Sequence, residues 1–355
     1  MKRLARAILT ACMTGSLILT LIAASQIAMS DQLAPLRERS AEEIVAVTDV
    51  MMARAATPER LTELIETRLA EDPRNWATLT ALRDAATEQG VVLPPVLITA
   101  YELAKAEDGS LANMAGDCAS CAWDISSCSL SNAMICKLPI LVTPVEDVRG
   151  VVKAGRDYLA GDDVDEVDLG LSVVGLGATA LVLFTGGTSE TLKLGAAAAK
   201  LARGMKILSP GIERMALTAV RTGVDWKALT RIDGSVESLA GAVRLDAFQP
   251  LADVASDIGR IGAATGPTSA LHLVRYVDDA PQARQMARAA EALGPRAVAR
   301  AEVLGPARLM RSTMRLTGTA WELISGLLGL IGSITLLLIG ALKGAAFRHL
   351  RRLSR

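Results

Sequence analysis

The chain has 355 residues, of which 51% are hydrophobic and only 3% aromatic, and its formal net charge is zero. This composition can fill a core, favours helices packed through small residues over sheets, and gives no overall charge for binding nucleic acid. The charge is uneven, because residues 31–168 hold 12 Lys and Arg against 25 Asp and Glu, whereas residues 190–320 hold 18 against 12. We therefore predict an all-α protein whose two halves differ in charge.

The N-terminal segment has the pattern of a secretion signal. Three basic residues among the first six precede an uncharged run from Ala7 to Ser30, which ends in small residues before Asp31. Two interpretations stay open: residues 1–30 are a cleaved signal peptide, or they are an N-terminal membrane anchor. Both predict that the chain after Asp31 is exported.

Residues 31–112 have the pattern of an acidic helical module. Apolar residues recur at i, i+3, i+4 and i+8 over 61–69, which gives one apolar helical face. Breakers at Pro73, Gly90 and Pro94 divide the module into successive helices.

The segment 113–140 holds four of the five cysteines, at C-x2-C-x6-C-x7-C spacing: Cys118, Cys121, Cys128 and Cys136. Because an exported chain folds in an oxidising compartment, these residues predict two disulfides, in one of three possible pairings. A zinc site is an alternative, although only the first pair has the short spacing of a zinc hook. A redox motif at Cys118 and Cys121 is another alternative, although no βαβ pattern surrounds it.

The region 141–210 predicts a central apolar helical hairpin. Residues 169–187 carry no charge, follow an acidic run, and precede an amphipathic and basic helix over 189–206. The uncharged segment either crosses a membrane or forms the first helix of a hairpin that is buried, interfacial or insertable. A crossing here would reverse the direction of any later crossing.

Residues 211–320 predict short helices separated by breakers. Glycine or proline interrupts the pattern at Asp233-Gly234, Gln249-Pro250, Gly266-Pro267 and Ala280-Pro281, and Gly-Pro pairs recur at 294–295 and 305–306. No stretch alternates as a strand would.

The region 321–345 predicts a C-terminal transmembrane helix. Residues 323–342 are uncharged, and twenty helical residues span the ~30 Å hydrocarbon core of a bilayer. Five basic residues lie in or just before the tail 346–355, which predicts a cytoplasmic tail. Small residues at spacing four suggest helix packing within the membrane: Ser325, Gly329 and Ser333.

No catalytic, cofactor-binding or metal-binding motif stands out. The acidic run at 162–168 does not match a calcium loop, and His272 has no evident partner. We expect a membrane-anchored helical protein with a small disulfide-bearing segment. Its expected partners are the lipid bilayer and another protein or a homo-oligomer through the C-terminal helix, without nucleic acid.

Three classes of function fit this pattern. The first is a tethered structural or protein-interaction protein at the bacterial inner membrane, with most of the chain periplasmic. The second is a membrane-active or channel-like protein that inserts the 169–206 hairpin, and the third is an envelope enzyme. Of these three classes we favour the first.

Overall fold

A computed structural model describes most of the chain, namely residues 38–185, 190–231 and 241–315, with Ile18 and the short stretches 326–327, 329–332 and 334–335. Within these ranges the fold is all-α and has no strand. The extended pairings there are two isolated antiparallel bridges, between Glu38 and Met314 and between Val224 and Val243. The predicted all-α class is confirmed.

The chain divides into two units. Ala41–Thr313 forms the larger unit, and Met1–Ser40 with Met314–Arg355 forms the other. All numbered helices and all sites described below belong to the larger unit.

The membrane predictions fall mostly on residues that the structure does not describe. Of the three small residues predicted to pack in a membrane, Gly329 lies in a described helical stretch, whereas Ser325 and Ser333 lie outside the described residues. Across the described ranges, no helix combines the length and the apolar character needed to cross a bilayer. The signal segment and the C-terminal transmembrane helix stay predictions.

Four helices begin the larger unit: α1 (Ala41–Ala55), α2 (Pro58–Leu69), α3 (Trp76–Glu88) and α4 (Pro95–Asp108). The Thr57 and Asn75 side chains cap α2 and α3 by accepting backbone N–H bonds, each at 3.2 Å. Leu61, Ile65 and Leu79 form a separate core with apolar residues of a helix late in the unit, Arg296–Leu304. The acidic module therefore shares its core with the other end of the unit.

The cysteine segment forms three short helices: α5 (Leu111–Trp123), α6 (Leu130–Cys136) and α7 (Leu138–Leu141). A 3₁₀ turn over Ile125–Ser127 links α5 to α6. Ser110 and Ser129 cap α5 and α6 with their hydroxyls. These caps fix where the two helices begin, and so fix the positions of their cysteines.

The central region consists of α8 (Pro144–Ala160), α9 (Glu166–Thr185) and α10 (Glu190–Gly204). Helix α9 packs against both of the others. Every residue from Leu169 to Leu176 is buried, so α9 is covered on all sides along that stretch. An apolar helix without a polar face needs such surroundings.

The second half contains seven described helices: α11 (Pro210–Gly223), α12 (Trp226–Leu229), α13 (Leu245–Thr265), α14 (Pro267–Val274), α15 (Ala280–Leu293), α16 (Arg296–Leu304) and α17 (Pro306–Ser312). Helix α13 is central, since it contacts α9, α10, α11, α14 and α15. The predicted breaks near Pro267, Pro281 and Pro306 coincide with helix starts.

The predicted break at Gln249-Pro250 is wrong, because α13 continues through Pro250. This proline lies near the start of the helix, where it removes one backbone hydrogen bond. The buried residues Leu251, Val254 and Ile258 follow it and hold the helix in the core. Packing therefore outweighs the local preference.

Helices α10 and α13 approach each other closely at two glycines. A Cβ placed on Gly195 would lie 1.6 Å from the Ala255 carbonyl oxygen, and one on Gly259 would lie 1.8 Å from the Thr191 carbonyl oxygen. Neither position can accept even an alanine without a shift of backbone. This crossing joins the central hairpin to α13.

Candidate functional sites

The four cysteines of the cysteine segment form two nested disulfides. Cys118 bonds to Cys136, with Cα atoms 5.8 Å apart, and Cys121 bonds to Cys128, with Cα atoms 4.6 Å apart. The sequence had left this pairing open. Since Cys118 and Cys121 have different partners, they do not form the disulfide of a C-x2-C redox pair, and no sulfur of this segment is free to bind zinc.

A cleft of about 780 Å³ lies beside these disulfides. Its walls are the turn between α2 and α3, the junction of α4 with α5, and the segment 127–135. Five acidic side chains and two basic ones line it: Glu71, Asp72, Glu107, Asp108, Asp117, Arg74 and Lys105. The cleft is therefore polar and negatively charged.

Hydrogen bonds fix two of the acidic side chains of the cleft. Asp108 accepts bonds from Trp76 Nε1 and from the Arg74 guanidinium, each at 2.8 Å. Asp117 accepts a 3.0 Å bond from the Asn132 side chain, which joins α5 to α6. The cleft wall is thus held both by disulfides and by charge-assisted hydrogen bonds.

A buried polar cluster joins α2 and α3 to α14 and α16, and we call it the junction cluster. His272 is fully buried, and its ring nitrogens lie 2.8 Å from Asn75 Nδ2 and 2.8 Å from Glu302 Oε1. Tyr276 donates to the same Glu302 oxygen at 2.8 Å, and Arg68 donates to the other at 2.6 Å. Each Glu302 oxygen therefore has a strong partner.

The pKa values in the junction cluster follow from its burial and charges. Burial opposes the ionisation of Glu302, but hydrogen bonds and charge from His272 and Arg68 outweigh it and lower its pKa to about 2. Burial lowers the pKa of His272, which Glu302 offsets only in part. At neutral pH the cluster holds an ionised Glu302 and an uncharged His272.

A neighbouring ionic contact fastens α1 and α3 to α16. Arg300 is fully buried and pairs with Asp49 of α1 and, at 3.1 Å, with Glu88 of α3. The pKa of Glu88 is lowered, because hydrogen bonds and charge from Arg300 and Arg296 outweigh its partial burial. Helix α16 is thus the common partner of the first three helices.

A second buried cluster lies in the central region, and we call it the hairpin cluster. Asp147 of α8 pairs with both Lys193 and Lys200 of α10, and the Lys200 contact measures 2.6 Å. Lys193 also donates to the Gly175 carbonyl oxygen of α9 at 3.3 Å. Asp147 and its two lysines together therefore join three helices.

The sequence did not reveal either cluster. The basic residues of α10 suggested a polar helical face, whereas Lys200 is only 6% exposed and Lys193 only 12%. His272 lies 197 residues from Asn75 and 30 from Glu302. No spacing rule links such positions, so these contacts emerge only from the fold.

No protein-family model, no curated protein and no solved structure matches this chain. Its function is therefore argued from geometry. The two clusters are buried and join helices, whereas the cleft is a concave surface lined by polar groups. Among the described residues, no group of three His, Cys, Asp or Glu side chains is placed to hold a metal ion.

Proposed function

We propose that this chain is an exported protein-interaction protein of the bacterial envelope, tethered to the inner membrane by its C-terminal segment. The two nested disulfides carry this proposal, because such bonds persist in oxidising compartments and are rare in the cytosol. The uncharged segment 323–342 and its basic tail support the tether.

The cleft supports a binding role. The disulfide-bonded segment forms one of its walls, so the bonds fix the shape of the surface that a partner would meet. The four sulfurs are bonded to one another, which favours a structural role for them over a catalytic one. The buried clusters likewise stabilise the packing around this surface.

The redox state of the cysteines tests the proposal. Cells are treated with a thiol-blocking reagent before lysis, and the full chain is examined by mass spectrometry without reductant. We expect Cys118 linked to Cys136 and Cys121 linked to Cys128, and a reporter fused after Gly294 should be active in the periplasm. Four blocked, free thiols in the cysteine segment would contradict export.

Serine variants provide the matched control for this measurement. Removing both Cys121 and Cys128 should leave the outer bond intact and lower the free energy of unfolding by about 2 kcal/mol, as expected for so short a loop. Loss of the outer bond in this variant would show that the pairing is wrong, even if the chain is exported.

The second candidate is insertion of the central hairpin into a membrane. The uncharged sequence of α9 from Leu169 to Leu176 supports it, because a helix without a polar face suits either a protein core or a membrane. In the folded chain this stretch is buried, and the hairpin cluster would hold that state through Asp147. Dye release from lipid vesicles tests this, and Asp147→Asn should release dye faster than the wild type. A variant that loosens the fold without releasing dye would count against insertion.

A further inference from the structure

The outer face of α4 carries an exposed apolar stripe. The buried side chains of α4 are Leu97 and Tyr101. On the opposite face Val96 is 81% exposed and Leu103 is 69% exposed, seven residues apart. An exposed apolar stripe with polar residues on both sides is a feature of protein–protein interaction surfaces.

The outer face of α8 carries a second such stripe. Val145 and Leu159 are each 68% exposed, and Val152 lies midway between them at 49%. The three residues are also spaced by seven, and they alternate along the helix face with Arg149 and Arg156. The guanidinium groups of these two arginines point to solvent, with about three-quarters of each side chain exposed.

The two stripes are complementary in spacing and in charge. A repeat of seven residues places apolar side chains ~10 Å apart on both helices, the geometry that lets two helices interdigitate. Glu102 and Glu107 flank the α4 stripe, whereas Arg149 and Arg156 lie within the α8 stripe. Their existing partners, such as Arg83 for Glu102 and Glu146 for Arg149, form exposed pairs that contribute little.

We infer that α4 of one copy of this chain packs against α8 of a second copy. The apolar stripes meet, and the glutamates of α4 face the arginines of α8. In a two-fold dimer each chain supplies one of each helix, so the contact forms twice. This inference names the partner for the interaction function proposed above and rests on that proposal.

Charge argues against two other occupants of the α4 stripe. Pairing α4 with a second α4 would place Glu102 and Glu107 against like charges, which disfavours the contact. An anionic lipid surface attracts helices whose polar face is rich in Lys and Arg, whereas the flanks of α4 are mainly acidic. The basic stripe of α8 is the described surface that fits both its shape and its sign.

Two surface variants test the inference in the full chain, purified in detergent. Leu103→Lys places a positive charge in the α4 stripe, and Val152→Glu places a negative charge in the α8 stripe. Sedimentation velocity over a concentration series should show that each variant associates about tenfold more weakly or worse than the wild type. Val50→Lys on α1, which alters an exposed apolar residue outside both stripes, should associate like the wild type.

Mixing the two variants is the decisive measurement. Leu103→Lys keeps a normal α8, and Val152→Glu keeps a normal α4, so the mixture can form one native contact and one Lys–Glu contact. We expect the mixture to recover association that neither variant shows alone. Such recovery requires that α4 contacts α8 between copies.

Three results would overturn the inference. The first is a wild-type chain that stays monomeric at its highest soluble concentration. The second is association that neither variant weakens, as self-association through the C-terminal helix alone would give. The third is loss without recovery on mixing, as expected if another protein, a lipid surface or a second α4 occupies the α4 stripe. Failure of export appears instead as free thiols, so the two proposals fail separately.

Discussion

The junction cluster and the hairpin cluster bury charge in different ways. In the junction cluster, ionised Glu302 receives hydrogen bonds from Arg68, Tyr276 and His272, and His272 is uncharged at neutral pH. In the hairpin cluster, Lys193 and Lys200 both form ion pairs with the single carboxylate of Asp147, and Asp168, whose pKa is raised by burial, also interacts electrostatically with Lys200. Glu302 therefore has several hydrogen-bond donors, whereas two ammonium groups of the hairpin cluster share one hydrogen-bonded carboxylate.

This difference indicates what each cluster does. Three side chains donate hydrogen bonds to Glu302. The junction between the N-terminal helices and α16 therefore does not depend on one contact. The link between α8 and α10 does depend on one contact. Since a buried charge without a partner is strongly destabilising, the central region should be the more easily broken of the two.

The largest effect is expected from Asp147→Asn. The substitution removes the carboxylate that both buried ammonium groups contact, which should lower the free energy of unfolding by about 3–5 kcal/mol. Urea denaturation followed by circular dichroism measures this. Glu146→Gln on the same helix is the control, because Glu146 pairs with the exposed Arg149 and its loss should cost about 0.5 kcal/mol or less.

An equal loss in the two variants would show that the hairpin cluster contributes no more than a surface pair. The prediction that the hairpin cluster is the more easily broken of the two would then be wrong. A loss confined to Asp147→Asn, with the secondary structure retained in water, would support it.

Acid should weaken the junction cluster in two pH windows. Glu302 has a folded-state pKa of about 2, below its ordinary value of 4.5, so its stabilisation is complete above pH 4.5 and is lost as the pH falls towards 2. His272 has a pKa lowered from 6.5, so the unfolded chain takes up its proton first and stability also falls below pH 6.5. The titration of each group therefore lowers the free energy of unfolding as the pH falls.

Comparison with Glu302→Gln isolates the lower window. Replacing the carboxylate should cost about 1.5–3 kcal/mol at neutral pH, because Arg68, Tyr276 and His272 lose a charged acceptor, and should flatten the decline between pH 4.5 and 2. Urea midpoints measured across this range check the expectation. Glu291→Gln is the control, since it removes an exposed partner of Arg260 and should cost about 1 kcal/mol or less at neutral pH. A Glu302→Gln profile parallel to the wild type would contradict the assignment.

The sequence predicted those features that depend on neighbouring residues. The helix boundaries of the acidic module follow the breakers Pro73, Gly90 and Pro94, and two later helices start at the prolines near 267 and 306, because glycine and proline geometry acts within one turn. The disulfides followed from cysteine number and predicted export, although their pairing required the arrangement of α5 and α6. Local rules failed at Pro250, where burial of the following residues decides.

The candidate sites could not be predicted in the same way. Asp147 and Lys200 are 53 residues apart, and a lysine spaced for a polar helical face gives no sign that the face is buried. The cleft likewise combines three separate segments of the chain. The exposed stripes of α4 and α8 are an intermediate case. Their seven-residue spacing can be read from the sequence, but the exposure of their side chains cannot.

The smallest of these effects concerns the crossing of α10 and α13, which tests whether packing or charge dominates the central region. Gly259→Ala should lower the free energy of unfolding by about 1–3 kcal/mol, because its Cβ would lie 1.8 Å from the Thr191 carbonyl oxygen and force the helices apart. Gly177→Ala is the matched control, since no atom lies within 4 Å of its added Cβ, and alanine should stabilise that helical position by about 0.5–1 kcal/mol. Urea denaturation of both variants measures the difference.

If Gly259→Ala were as stable as Gly177→Ala, helices α10 and α13 would not be in backbone contact. Asp147 would then be the main link between the hairpin and the rest of its region.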